Sequence, residues 1–177
     1  MARPKTVLID RGMIIRESIK LLEKGGLDGF NLRALATRLS AHPSSIYHYY
    51  DGRAAILSAV AGSILRDVPV PPMQDDWRDW AVDTTMAYWR ALLERPFIIA
   101  ILLAGYEPAT GVRSQLGTTM TEAGISPRRQ GEILHAWEGC VFGFAQVYSA
   151  NPGAEGVESL DDVAETLRRT LRFILND

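Results

Sequence analysis

The apolar residues of this chain recur every three to four positions almost from end to end, and no stretch alternates with a period of two. That spacing lines one face of a helix and gives no pattern for a half-buried strand, so an all-α fold is expected. Asp10 reads as the cap of a helix from Arg11 to about Lys24, with Ile14, Ile15, Leu21 and Leu22 along its stripe and Gly25-Gly26 stopping it. Asn31 then caps a short helix with Leu32, Leu35, Ala36 and Leu39 on one face. Pro43 suits the first position of another short helix, through about Tyr50, and Asp51 caps a fourth from Gly52 to Arg66.

The stretch Val68-Pro69-Val70-Pro71-Pro72 cannot be helical, because each proline restricts itself and its predecessor. It divides the chain into an expected domain 1–66 and a second, 67–177, and the charge changes sign there. Residues 1–66 hold ten Lys/Arg against five Asp/Glu; residues 67–177 hold nine against sixteen. Such asymmetry suits a first domain that meets a polyanion and a second that does not. Beyond the linker, Asp76 caps a long helix to about Arg95, a shorter one follows to Gly105, and 110–123 form a weaker helix containing Gly111 and Gly117. Ser126 and Pro127 open the longest helix, to about Ala150, where Asn151-Pro152-Gly153 breaks it. Ser159 and Asp162 resemble a capping box for a last helix, Leu160 to Leu175.

Several function classes find no support. The longest apolar run, Phe97 to Gly105, is too short to span a bilayer, and the N-terminus does not read as a secretory signal, so a cytoplasmic protein without a membrane partner is expected. The single cysteine, Cys140, lies among apolar residues and reads as core. There is no Cys/His cluster, no Gly-rich phosphate loop and no GxSxG, so neither an enzyme nor a metal or other cofactor is expected.

Two short helices joined by a few residues and preceded by a longer one form the helix-turn-helix plan, here at 31–50. Leu35, Ala36 and Leu39 must pack against Ile46 and Tyr50, which turns Ser44, Ser45, Tyr47, His48 and Tyr49 outward. Each of these can exchange a hydrogen bond and none is acidic, as a phosphate-lined groove requires. The string NLRALATRLSAHPSSIYHYY at 31–50, followed by DGRAAIL at 51–57, resembles the DNA-binding domain of the tetracycline-repressor (TetR) family; the resemblance covers about 8–66. More faintly, Trp77-Arg-Asp-Trp80 and Ala123-Gly-Ile-Ser126 resemble the regulatory domain of the tetracycline repressors.

The resemblance implies a sequence-specific transcriptional regulator: an N-terminal three-helix DNA-binding domain joined to a C-terminal helical domain that binds a ligand and dimerises. It places Ser45, Tyr47, His48 and Tyr49 where the family's recognition helix touches bases and backbone. Pro43 and Ser44 fall at its leading edge, Arg33 at a base or phosphate contact, and Arg53 at a phosphate clamp. Two departures stand out. Ser40 replaces the usual turn glycine, so strain is expected there. Pro43 carries no amide, so adenine readout by Asn or Gln is missing at that position.

In the second domain, residues 140–147 are apolar on nearly every side, so a partner chain is expected to cover what the monomer's own core leaves. Gly139 and Gly143 would let a neighbouring helix approach, and Leu167, Leu171 and Ile174 offer a second surface; the family's pairing of these two helices implies a homodimer on a double-stranded operator. Trp80, Thr84, Tyr88, Trp89, Tyr106, Met120, Trp137 and Phe144 are candidates to line an effector cavity, with Gln115 and Glu138 as further polar groups. The only histidines are His42, His48 and His135, so the metal-binding histidine of the tetracycline repressors is missing. An apolar or aromatic effector, of unknown identity, is expected to release a repressor from DNA.

Overall fold

The computed structural model describes residues 9–106, 111–150 and 159–176; the helix break expected at Asn151-Pro152-Gly153 lies outside them. Among the described residues there are nine helices and no strand. They fall in two compact units, Met1–Leu65 with Ala100–Ala109, and Arg66–Ile99 with Thr110–Asp177. The assignment of 100–109 to the first unit departs from a simple division at the proline linker.

The first unit holds α1 (Arg11–Gly29), α2 (Leu32–Arg38), α3 (Pro43–Tyr47) and most of α4 (Gly52–Arg66). Asp10 caps α1 by accepting the Met13 N–H at 2.7 Å, and Asn31 caps α2 by accepting that of Ala34 at 2.8 Å. Helix α1 buries Ile14, Ile15, Ser18 and Leu22, and its path is broken at Gly26, whose φ of 60° and ψ of −164° are not helical. A last turn then reaches Gly29, beyond the expected stop. Helices α2 and α3 bury Leu35, Ala36, Leu39 and Ile46, the contact expected from their spacing. Tyr50, expected beside them, is only half-buried, just past the end of α3 at Tyr47.

Helix α2 ends in a paired hydrogen bond: Ser40 N–H to Thr37 C=O at 3.1 Å and Ala41 N–H to Ala36 C=O at 3.0 Å. This closure needs a left-handed residue at its centre, and Ser40 stands there with φ of 50°. Helix α7 (Gly111–Glu122) closes in the same way around Gly124, at φ of 76°. A side chain in that conformation costs about 1–2 kcal/mol, so α2 carries the strain expected of its serine.

The second unit contains α5 (Trp77–Glu94), α7, α8 (Pro127–Ala150) and α9 (Leu160–Asn176); α6 (Phe97–Leu103) is divided between the units. Helices α5, α8 and α9 pack mutually and α7 lies on α8. Asp76 caps α5 and Ser159 caps α9, each accepting a backbone N–H. The core here is Trp80, Met86, Trp89, Leu92, Ile133, Trp137, Leu167, Leu171 and Leu175. Asp79–Arg172 and Asp83–Arg168 ion pairs join α5 to α9. Arg168 and Gln74 hold the Asp83 carboxyl below its ordinary value. Cys140, expected in the core, is half-buried.

The turn strain sets a sign. Ser40→Gly should raise stability by about 0.5–1 kcal/mol, the relief of strain less glycine's extra chain entropy, and Ser40→Val should lower it. Thermal unfolding of the two variants tests this; a Ser40→Gly protein less stable than the parent would contradict the assigned backbone.

Candidate nucleic-acid interface

Five residues cannot hold a helix by themselves, so α3 depends on its fastenings. Ile46, 1% exposed, is its one buried side chain. Pro43 sits in the first turn, and His42 caps the helix, its Nδ1 accepting the Ser44 N–H at 3.3 Å. The sequence pattern did not single out His42, because histidine is not among the usual capping residues. Beyond the helix, Tyr49 donates its hydroxyl to the Ile9 carbonyl at 2.6 Å, and the Tyr50 ring lies under the Arg11 guanidinium, 4.9 Å from its centroid. Both tyrosines thus tie the end of α3 to the start of α1.

These ties alter the expected reading face. Tyr49 was expected to point at DNA; its hydroxyl is engaged with Ile9 and its side chain is half-buried. Ser44, Tyr47 and His48 are exposed, Tyr47 by 55%, while Pro43 and Ser45 are half-buried. On α2, Arg33 is exposed and has no ion-pair partner among the described residues. Between Asp28 and Asp51 the chain has no carboxylate at all. Ser44, Tyr47, His48 and Arg33 therefore present hydroxyl, imidazole and guanidinium groups without a competing negative charge. Arg38, by contrast, pairs with Glu17 across α1 and α2 at 2.7 Å. Lys20 and Arg38 together hold the Glu17 carboxyl below its ordinary value. That pin is fully present above the ordinary carboxylate range and is lost as pH falls through the lowered value.

Arg53 also differs from expectation. Its guanidinium donates to the Leu27 carbonyl at 2.8 Å, the Phe30 carbonyl at 3.3 Å and the Tyr106 hydroxyl at 3.2 Å. Those contacts occupy three of the five N–H donors an arginine carries. Two of them go to backbone carbonyls at the end of α1, Leu27 (which also accepts the Phe30 N–H) and Phe30, so Arg53 joins α1, α4 and the segment after α6. Tyr106, one of the expected effector residues, belongs to the first unit, where its hydroxyl accepts from Arg53.

In the second unit, Trp80, Thr84, Trp89, Met120 and Trp137 are buried, and Tyr88 and Phe144 half-buried. Burial raises the Tyr88 hydroxyl above its ordinary value. The Trp80 indole donates to Pro71 C=O at 3.1 Å and that of Trp137 to Thr85 Oγ1 at 2.9 Å, a partner the sequence reading missed. Thr84 Oγ1 and Trp89 Nε1 are buried without a hydrogen-bond partner among the described residues. Glu138 pairs with Arg113. Gln115 lines an open cleft of about 380 Å³ with Val70, Pro71, Met73 and Trp80. Leu167 and Leu171, expected at a dimer interface, are instead 0% exposed: they face their own chain's core.

A short, capped helix held by one buried isoleucine, carrying an exposed face free of carboxylate, defines a helix-turn-helix DNA-binding regulator of transcription. Residues 14–60 match the model of the bacterial regulatory proteins, tetR family. It is 27% identical to the tetracycline repressor protein class G of Vibrio anguillarum over 94% of this chain and 82% of that protein. Its matches to the class A and class C repressors of Escherichia coli span only 38% and 40% of those proteins. Among solved structures, a TetR variant of Acinetobacter baumannii AYE in complex with minocycline aligns at TM-score 0.77 and 23% identity, covering 96% of each chain. BioQ with its natural double-stranded DNA operator aligns at TM-score 0.70 and 21% identity, over 94% of this chain and 99% of that one. These two similarities bear on the fold.

Two arginines now separate by role. Arg33→Ala should leave thermal stability within about 0.5 kcal/mol and reduce the salt dependence of DNA binding by about one phosphate contact. Arg53→Ala should cost about 2 kcal/mol of stability, because two buried-end carbonyls lose a charged donor. Melting curves and binding at several salt concentrations distinguish them; an Arg53→Ala protein of unchanged stability would return that residue to a phosphate clamp.

Proposed function

We propose that the chain is a repressor which binds its operator as a two-fold dimer and leaves it when an apolar or aromatic small molecule is bound. The observation that carries this reading is the exposed, carboxylate-free face of Arg33, Ser44, Tyr47 and His48. In it, 1–66 read DNA, with the segment around Tyr106 attached through Arg53, and 67–177 dimerise and sense the effector. Ser44, Ser45, Tyr47, His48 and Arg33 face the duplex, Pro43 shapes the leading edge, and Tyr49 and Arg53 hold the reader in shape. The protein acts in the cytoplasm, performs no catalysis and needs no cofactor beyond the effector. Among the described residues no helix is long and apolar enough to cross a membrane.

An exposed apolar stripe on α8 and α9 supports dimerisation. On α8, Ala136, Gly139, Gly143 and Val147 recur at helical spacing and are exposed, Val147 by 67%. A Cβ built at Gly139 or Gly143 would meet nothing within 4 Å, so a second helix has room to approach. On α9, Phe173 is 71% exposed and Ile174 is half-buried beside it. Phe173 thus takes the interface role that burial denies to Leu167 and Leu171. Two such faces, one from each copy, would form a four-helix contact and hold two readers at the spacing of successive major grooves.

The effector reading draws on the buried tryptophan and methionine side chains of α5, α7 and α8, and on Thr84 Oγ1 and Trp89 Nε1. Their lack of partners suits a mainly apolar ligand bearing a hydrogen-bond acceptor. Such a ligand need only favour a reader spacing that no longer fits DNA.

Phe173→Glu and Gly143→Glu should each yield a folded monomer with operator affinity reduced by ~100-fold or more. Leu171→Ala should lose about 2–5 kcal/mol of stability yet remain a dimer. Light scattering, circular dichroism and mobility-shift titration measure these; a Phe173→Glu protein that stays dimeric and binds normally would sink the assigned interface.

A further inference from the structure

We propose that His42 fixes the hydrogen-bond polarity of Ser44, making its hydroxyl an acceptor that selects an amino-bearing base edge in the major groove. The inference rests on the DNA-reading face described above and concerns which chemistry that face accepts. Ser44 N–H donates to His42 Nδ1 at 3.3 Å, so Nδ1 carries no hydrogen and the ring proton sits on Nε2. The Ser44 Oγ lies 2.8 Å from the same Nδ1. Two acceptors cannot bond to each other, so the hydroxyl must donate its single proton to the imidazole. Ser45 N–H, donating to the His42 carbonyl at 2.9 Å, holds the residue in this position.

A serine hydroxyl ordinarily rotates to suit either a donor or an acceptor. Here only its lone pairs remain for an outside partner, and Ser44 is exposed in the first turn of the recognition helix, where base-reading side chains sit. In the major groove the donors are adenine N6 and cytosine N4; guanine O6 and N7 and thymine O4 only accept. Phosphate oxygens also only accept, so the backbone does not compete for this hydroxyl. Ser44 is therefore a specificity-determining residue for A or C against G or T at one operator position on one strand. A single such bond discriminates by about five- to tenfold.

Selection of bound sequences from a random DNA pool tests this with the unsubstituted protein, Ser44→Ala and His42→Gly. Glycine keeps an acceptable helix cap and removes the imidazole, which frees the hydroxyl to donate. The position read by Ser44 is the one whose preference Ser44→Ala erases. The unsubstituted protein should enrich A and C there by about five- to tenfold, and His42→Gly should admit G and T as well. Circular dichroism checks that each variant keeps its helices, and for a His42→Gly protein that loses them, His42→Asn serves, with the A-or-C preference expected to persist. Enrichment of G or T at that position, no position altered by Ser44→Ala, or a folded His42→Gly protein with an unchanged preference would overturn the proposal while leaving DNA reading intact. Failure of the unsubstituted protein to enrich any sequence would overturn the DNA-reading assignment itself.

Discussion

The burial of Ile46 where α3 packs on α2 is the contact on which the reader depends. A five-residue helix gains too little from its own hydrogen bonds to offset the ordering of its backbone. Everything else about α3 is an end condition: the proline in its first turn, the histidine cap before it, the tyrosines behind it. Ile46 fixes the rotation of the helix, and rotation decides which side chains look outward. Moving the pattern by one residue would turn Tyr47 inward and present the isoleucine to the duplex. The strained Ser40 belongs to the same arrangement, since a left-handed residue there lets α2 close and the chain turn into α3 within a few residues.

Arg53 extends that logic from one helix to the unit. Helix α1 ends just beyond a glycine-rich break, and a guanidinium supplies planar, directed donors to the carbonyls of Leu27 and the cap residue Phe30. The same group reaches the Tyr106 hydroxyl. A phosphate clamp and an internal tie ask for the same residue type, so charge and position alone could not separate them. The distinction lies in which acceptors are near, and those come from residues 23 to 53 positions away in the chain.

Much of the fold was legible because local chemistry writes it. Asp10, Asn31, Asp76 and Ser159 cap the helices they precede, and the glycine pair interrupts α1 as its backbone freedom suggests. The end of α3 was not legible: Tyr49 and Tyr50 continue the helical pattern in sequence, but their side chains are engaged by Ile9 and Arg11, distant in the chain. The burial of Leu167 and Leu171 was not legible for a different reason. Leu167, Leu171 and Leu175 form one apolar stripe while Phe173 lies off it, and periodicity says nothing about which stripe faces the chain's own core. Only packing against α5 and α8 decides that.

The charge division between the two halves is sharper in space than in the sequence. In the second unit Arg78, Arg113, Arg128, Arg168 and Arg172 each lie against a carboxylate, so much of its positive charge is neutralised where it stands. Around the reader Arg38 and Lys20 share Glu17, while Arg33 has no such partner among the described residues. A cation already paired must first give up its carboxylate to meet a phosphate, and the exchange yields little. An exposed, unpaired guanidinium gains the full release of the ions condensed on DNA. Net charge therefore understates the contrast: what directs one unit toward a polyanion is the absence of carboxylates from the 29–50 segment, more than the number of basic residues in it.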